Sequence, residues 1–164
     1  MDSEYPVFDG KLTLQCYLSS VDKCYQLYQE KAAKRSKLQN GESGSSPFTL
    51  AKFDAILFHT PYCKLVRKSF ARLDLNDFVR ATAADRSSKY EGFESYTNIE
   101  LEKTYFDREI ENVFIAHSEK SFQEKTAPSL HMATNIGNMY TASLYGGLAA
   151  YLCSKPQNDL IGNK

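Results

Sequence analysis

The sequence has no stretch approaching the ~18 apolar residues that a membrane-spanning helix needs. That excludes a helical span within it. It also has no excess of charge of one sign. Twenty basic side chains stand against twenty acidic ones, so no global field draws the chain to nucleic acid or to a membrane surface. Any anion site has to be local. Cysteine is scarce. Cys16, Cys24, Cys63 and Cys153 form no CxxC pair and have no His or Cys at zinc-finger spacing. They are too few for a disulfide scaffold, and are expected to be reduced, mostly buried thiols. The histidines, His59, His117 and His131, have no carboxylate or cysteine at metal-ligand spacing, so no metal is expected. Residues 1–10 are acidic and turn-rich. They lack the basic start and apolar core of a signal peptide and the basic amphipathic character of a transit peptide. The expected location is cytoplasmic.

What is present suits one globular domain. The chain has 164 residues, 42% of them hydrophobic, and a compact chain of that length buries roughly two thirds of its unfolded surface. Leu14, Leu18, Val21, Tyr25 and Tyr28 have helical spacing and predict a helix over 12–37. Its basic tail suits the negative end of the helix dipole. Residues 39–47, rich in Gly, Ser and Asn, read as a loop. The short apolar run 53–58 reads as a buried strand. Thr60 and Pro61 then supply an N-cap and first position for a helix reaching about residue 79. Residues 82–97 are polar, without a period, and are expected to be a surface excursion. A helix over 107–125 turns Ile110, Val113, Phe114 and His117 inward, and Pro128 helps end it. Residues 129–134 read as a short strand. A helix over 139–153 is small-sided nearly all round, and its two interior glycines cost about 1 kcal/mol each relative to Ala. Tight packing on several sides would offset that. The resulting class is α/β, with too few strands to close a sheet, as in part of a larger layered structure.

Two turns carry candidate chemistry. In Phe58-His59-Thr60-Pro61 an expected strand ends, a histidine follows and a helix begins. Ligands of α/β sheets bind at such ends. The positive helix terminus disfavours an imidazolium there, and a neutral imidazole can polarise a carbonyl. A hydrogen-bonded structural histidine fits the same position. Lys64 and Lys68, four apart, share a helix face; they suit a phosphate, and equally a wet surface. Asn138 precedes the small-sided helix. It fits an N-cap, or an amide donating to a ligand carbonyl oxygen. His117, amid apolar neighbours, reads as packing or a core hydrogen bond, and His131 as peripheral.

The blocks EYPVFDGKLTLQCYLSSVDKCY, FHTPYCKLVRKSFARL, TYFDREIENVF and NIGNMYTASLYGGLAAYL resemble successive segments of animal hydroxymethylglutaryl-CoA synthases, in order and over nearly the whole chain. The resemblance implies a partial thiolase-like fold, part of an α-β-α-β-α layered architecture. Residues 1–164 would be an incomplete C-terminal domain. The implied activity is that of an acyltransferase: acetyl-CoA condenses with acetoacetyl-CoA to give hydroxymethylglutaryl-CoA, in the mevalonate and sterol pathway. In that family a cysteine is acetylated, a glutamate serves as general acid and base, and water releases the product. Residue by residue, His59 matches the catalytic histidine that positions acetoacetyl-CoA. Lys64 and Lys68 match lysines that contact coenzyme A, and Asn138 matches a substrate-contacting asparagine. No cofactor is implied beyond the two CoA thioesters as substrates. A family homodimer is implied, with no nucleic acid or membrane partner.

The resemblance also marks departures. No block of the family's N-terminal half, with its nucleophilic cysteine and its glutamate, occurs here. The Gly-Ser-rich substrate turn that follows this region in the family is missing as well. The expectation is a synthase fragment that is inactive alone, since without the nucleophile there is no acetyl-enzyme. A second reading is a non-catalytic piece that binds coenzyme A or pairs with an intact synthase. A third is an unrelated enzyme using His59 with Cys63.

Overall fold

The computed structural model describes residues 5, 7–40 and 48–156. The loop expected over 39–47 lies outside the described residues beyond Asn40, whose backbone closes the first helix. Among the described residues, all regular structure is helical. No helix among them is long and apolar enough to cross a membrane.

Helix α1, Gly10–Asn40, starts where Asp9 Oδ1 accepts the N–H groups of Lys11 and Leu12, each at 3.0 Å. An aspartate satisfies the orphan donors of a helix start well. Leu18, Asp22, Tyr25 and Gln29 form its buried stripe at helical spacing. Helix α2, Cys63–Arg80, lies against α1 and against α4, Arg108–Lys125. Every residue of α2 from 69 to 78 is buried. A helix buried all round usually carries apolar residues only. This one also buries Arg72, Asp74, Asn76 and Asp77, and each must find partners, because unpaired buried charge is costly. Arg72 forms a two-pronged ion pair with Asp22 of α1 and donates to Thr104 Oγ1 at 2.6 Å. Asn76 donates to Asp22 Oδ1 at 2.8 Å. Asp77 accepts from Tyr25, Gln29 and the Leu50 N–H, each at 2.8 Å.

Several expectations are corrected. Residues 53–58 are extended but pair with no strand. Ile56 N–H donates to the Lys125 carbonyl (3.0 Å) and the Ile56 carbonyl accepts from Thr126 Oγ1 (2.7 Å). The segment is sewn to the end of α4. Thr60 does not cap α2. Its hydroxyl turns back to the Phe58 carbonyl (3.1 Å), and the helix begins after Tyr62 without a side-chain cap. Residues 82–97 are no mere excursion. Thr82 caps α3, Ala83–Lys89, accepting from Asp85 N–H. Tyr90 and Phe93 then pack on Phe78 and Phe114, with ring centroids 5.0 to 5.9 Å apart along the Phe78–Tyr90, Phe78–Phe114 and Phe78–Phe93 contacts. Aromatics without a 3.6-residue period gave no pattern to read.

Residues 129–134 are helical as well. A 3-10 turn, Ala127–Leu130, carries Pro128 near its start and runs into α5, His131–Ile136. The last helix starts late, as a 3-10 turn Tyr140–Ala142 followed by α6, Ser143–Ser154. Its packing is one-sided among the described residues. Gly147 faces Ser129, and Ser143, Ala150 and Tyr151 are buried, but Leu144, Tyr145, Leu148 and Leu152 are exposed. The cysteines also differ from expectation. Cys16, Cys24 and Cys153 are exposed and Cys63 is half-buried, because they fall on the outer faces of their helices.

Candidate functional site

The extended segment 53–60 carries His59 to a point where α1, the start of α2 and the start of α6 meet. Two bonds fix its backbone. Tyr17 of α1 donates its O–H to the His59 carbonyl at 2.6 Å, and burial pushes the Tyr17 phenol up, so it remains a donor. The Thr60 N–H lies 3.2 Å from Ser143 Oγ on α6. The His59 ring is held by the same oxygen, 2.5 Å from Nδ1. The residue is otherwise exposed, leaving Nε2 free to meet a ligand. His59 thus stands beside a helix start, as expected, but an extended strap and not a sheet strand delivers it.

The Asn138 turn reaches the same helix. Gly137 adopts φ 92°, a left-handed conformation that glycine enters without a Cβ penalty. Asn138 Oδ1 accepts the Tyr140 N–H at 2.8 Å. An N–H can only donate, so the oxygen of this amide is committed to the backbone and its NH₂ is the outward group. Tyr140 itself sits at φ 49°, the one non-glycine residue in that region among those described. Such strain clusters at ligand-facing segments. The 3-10 turn then leads directly to Ser143. The two turns, 79 positions apart in sequence, are therefore anchored at one helix terminus.

The lysines differ from one another. Lys64 is exposed on the first turn of α2 and makes no ion pair among the described residues. Lys68, one turn on, is held 2.9 Å from Glu111 Oε2 of α4. Arg67, between them, pairs with Glu119 at 2.5 Å. Gln123, and then Arg67, hold the Glu119 carboxyl below the usual range. Lys64 is therefore the readily available cation of this surface. Cys63 lies beside Thr134 (Sγ–Oγ1 3.6 Å) and His59 Nδ1 beside Ser143; among the described residues no hydrogen bond joins Cys63 to His59 as a nucleophile–base pair would require.

A sizeable cavity lies elsewhere. A space of about 390 Å³ is lined by Gln29, Leu50, Asp74, Asp77, Tyr90 and His117, among others. It sits at the far end of α2, about 21 Å along the axis from Cys63 at 1.5 Å per residue. His117 Nδ1 is 2.6 Å from Asp74 Oδ2 and Nε2 is 3.0 Å from the Lys89 carbonyl, with the ring stacked on Tyr90 at 4.8 Å. The Asp74 bond pushes the imidazole up. Both ring nitrogens point at acceptors, so this histidine is structural. Burial likewise pushes the Asp77 carboxyl up to about 6. Among the described residues, no group of His, Cys, Asp and Glu is placed to hold a metal ion.

Sequence reasoning missed Ser143 and Tyr17. Ser143 read only as one more small residue of a small-sided helix, and Tyr17, at the edge of the apolar face of α1, read only as packing. Neither carries a signal without the fold.

Comparison with known proteins gives the context. The family described as hydroxymethylglutaryl-coenzyme A synthase C terminal matches residues 1–164. The chain is 46% identical over 164 residues to the cytoplasmic hydroxymethylglutaryl-CoA synthase of Mus musculus, covering all of this chain and 31% of that protein. It is 48% identical over 160 residues to hydroxymethylglutaryl-CoA synthase 2 of Blattella germanica, covering 98% of this chain and 34% of that one. The mitochondrial enzyme of Bos taurus is 44% identical over 163 residues, with 99% of this chain and 31% of that protein covered. Among solved structures, MvaS in complex with 3-hydroxy-3-methylglutaryl coenzyme A matches with a TM-score of 0.61 and 28% identity, covering 89% of this chain and 29% of that one. The chain spans about a third of the length of the curated relatives it matches. Its helices form part of a thiolase-like α/β fold.

Proposed function

The chain belongs to the hydroxymethylglutaryl-CoA synthase C-terminal family, and from that premise we propose that it supplies the acetoacetyl-CoA side of a synthase active site. The whole reaction would join acetyl-CoA to acetoacetyl-CoA and give hydroxymethylglutaryl-CoA for the mevalonate and sterol pathway. His59 would be the catalytic group at the acetoacetyl oxygen. Asn138 would offer its NH₂ to an acyl oxygen. Lys64, and Lys68 on release from Glu111, would meet the phosphates of coenzyme A. None of these roles calls for a cofactor beyond the two thioesters.

The observation that carries this reading is the convergence of the His59 strap and the Asn138 turn on the start of α6. An imidazole and an outward amide carried on two segments that lead to one helix start support a shared carbonyl-polarising role. The covalent acetyl transfer belongs to a synthase about three times as long as this chain. A cytoplasmic location is favoured by relatives such as those of Mus musculus and Blattella germanica, one of them named as cytoplasmic, although mitochondrial ones match too. Pairing with a second synthase subunit, as in a homodimer, would cover exposed apolar surface. A purely binding or pairing role is the second reading, and the exposed apolar face of α6 favours it.

A calorimetric titration of the 164-residue chain with acetoacetyl-CoA tests the proposal. Saturable binding, lost in His59→Ala and weakened in Lys64→Ala, is expected. Binding indifferent to His59→Ala would overturn it.

A further inference from the structure

We infer that Ser143 is a positioning residue that holds neutral His59 in the tautomer with its proton on Nε2, the nitrogen that faces ligand. This rests on the reading of His59 as the acyl-oxygen donor. The argument is one of counting. A hydroxyl has one proton to give and two lone pairs to offer. The Thr60 N–H, which can only donate, occupies one lone pair of Ser143 Oγ at 3.2 Å. The His59 Nδ1 approaches the same oxygen at 2.5 Å. Two arrangements remain. Either the Ser143 O–H donates to a bare Nδ1, or Nδ1–H donates to the second lone pair. In the second, the hydroxyl proton needs another acceptor.

Ser143 is 1% exposed, so water does not reach it, and no other acceptor bonds its hydroxyl among the described residues. A buried hydroxyl proton left without a partner disfavours the second arrangement about tenfold or more. The first satisfies all three groups. It leaves Nδ1 bare and puts the ring proton on Nε2, on the exposed side. The same oxygen ties the strap to α6 through Thr60, while Tyr17 grips the His59 carbonyl from α1. Ring rotation would have to break this bond, so the donor is aimed as well as chosen.

The test is nitrogen-15 NMR of the imidazoles in the full 164-residue chain at about pH 8.5, where an imidazole is neutral. The chain has three histidines, and His59→Gln identifies the resonances of His59. The expected result is a protonated Nε2 and a bare, hydrogen-bonded Nδ1. In Ser143→Ala the Nδ1 resonance should move toward that of a free ring nitrogen, and the Nδ1–H form should rise about fivefold or more. Ser143→Thr, which keeps the hydroxyl, should restore the native pattern. Acetoacetyl-CoA should bind Ser143→Ala about tenfold more weakly, the size of one good hydrogen bond, with coenzyme A affinity unchanged. A proton on Nδ1 in the native chain would overturn the inference whether or not the variants fold, and so would a tautomer that Ser143→Ala leaves unmoved. A Ser143-dependent tautomer in a chain that binds no acetoacetyl-CoA would uphold the role of Ser143 on His59 and overturn the binding proposal instead.

Discussion

The two ends of α2 are built on opposite terms. From residue 69 to residue 78 every side chain is buried, and each buried charge has a fixed partner: Arg72 with Asp22, Asp74 with His117, Asp77 with Tyr25, Gln29 and Leu50. The N-terminal end keeps only Leu65 and Val66 inside and presents His59, Tyr62 and Lys64 outward. Each end has a histidine. His117 has both nitrogens committed to protein acceptors, while His59 has one nitrogen committed and one free. A polar group with all its valences used stabilises. One with a valence left over can bind. The far cavity, with its buried carboxylates, thus follows from how the core satisfies its charges, and the region around His59 is the site we propose.

Predictions that break or sharpen this contrast can be ordered by size. Arg72→Met should be the most damaging. It strands the Asp22 carboxylate in the core, a change that costs about 3–5 kcal/mol, measurable as a lowered urea midpoint. His59→Ala should leave stability within about 0.5 kcal/mol, because water fills the space of the exposed ring and takes over the bond to the Ser143 hydroxyl. It should nevertheless weaken acetoacetyl-CoA binding at least tenfold, equivalent to about 1.4 kcal/mol.

His117→Gln should act through pH. The folded value of His117 is raised by Asp74. Its contribution is therefore complete below the ordinary imidazole value near ~6.5 and is lost as pH rises through the raised one. Asp74, the Lys89 carbonyl and the Tyr90 ring face it. Melting temperature should fall from about pH 6 to about pH 8 in the native chain, and His117→Gln should flatten that slope. Solvent around the half-exposed ring keeps the contribution below about 1 kcal/mol. Asp77, raised to about 6 by burial, has the same sign in a lower window. Its stabilising effect is lost as pH rises from the ordinary aspartate value through about 6. The smallest effects belong to the lysines. Lys64→Ala should weaken coenzyme A binding severalfold, and Lys68→Ala less, because Lys68 must first leave Glu111. Equal effects would mean that the Glu111 pair does not persist in solution.

Much of the helical frame was legible in the sequence, because α1 and α4 announce themselves through apolar spacing; the structure adds that Asp107 caps α4, accepting from the Glu109 and Ile110 N–H groups. The failures share one cause. Residues 53–58 have the composition of a buried strand, but what decides their state is the nearest hydrogen-bonding partner. That partner is the end of α4, 70 residues away. Thr60 is a good cap by type, yet its hydroxyl goes to Phe58 and its N–H to Ser143. Tyr90 and Phe93 join a core whose other half lies on α2 and α4. The site divides the same way. His59, Lys64, Lys68 and Asn138 stand out at two turns of the sequence with structural alternatives beside them, and the family resemblance gives them their expected roles. Ser143, which holds His59, was hidden among small residues because its role exists only once α6 meets the strap.

The most direct test of the division along α2 is a melting experiment on the native chain, His59→Ala and His117→Ala, each with and without saturating acetoacetyl-CoA. Crossed results are expected. His117→Ala should melt lower, yet keep the full ligand-induced rise, while His59→Ala should melt at the native temperature without it. If His117→Ala abolished the rise, or His59→Ala retained it, the assignment of stability to one end and binding to the other would be wrong.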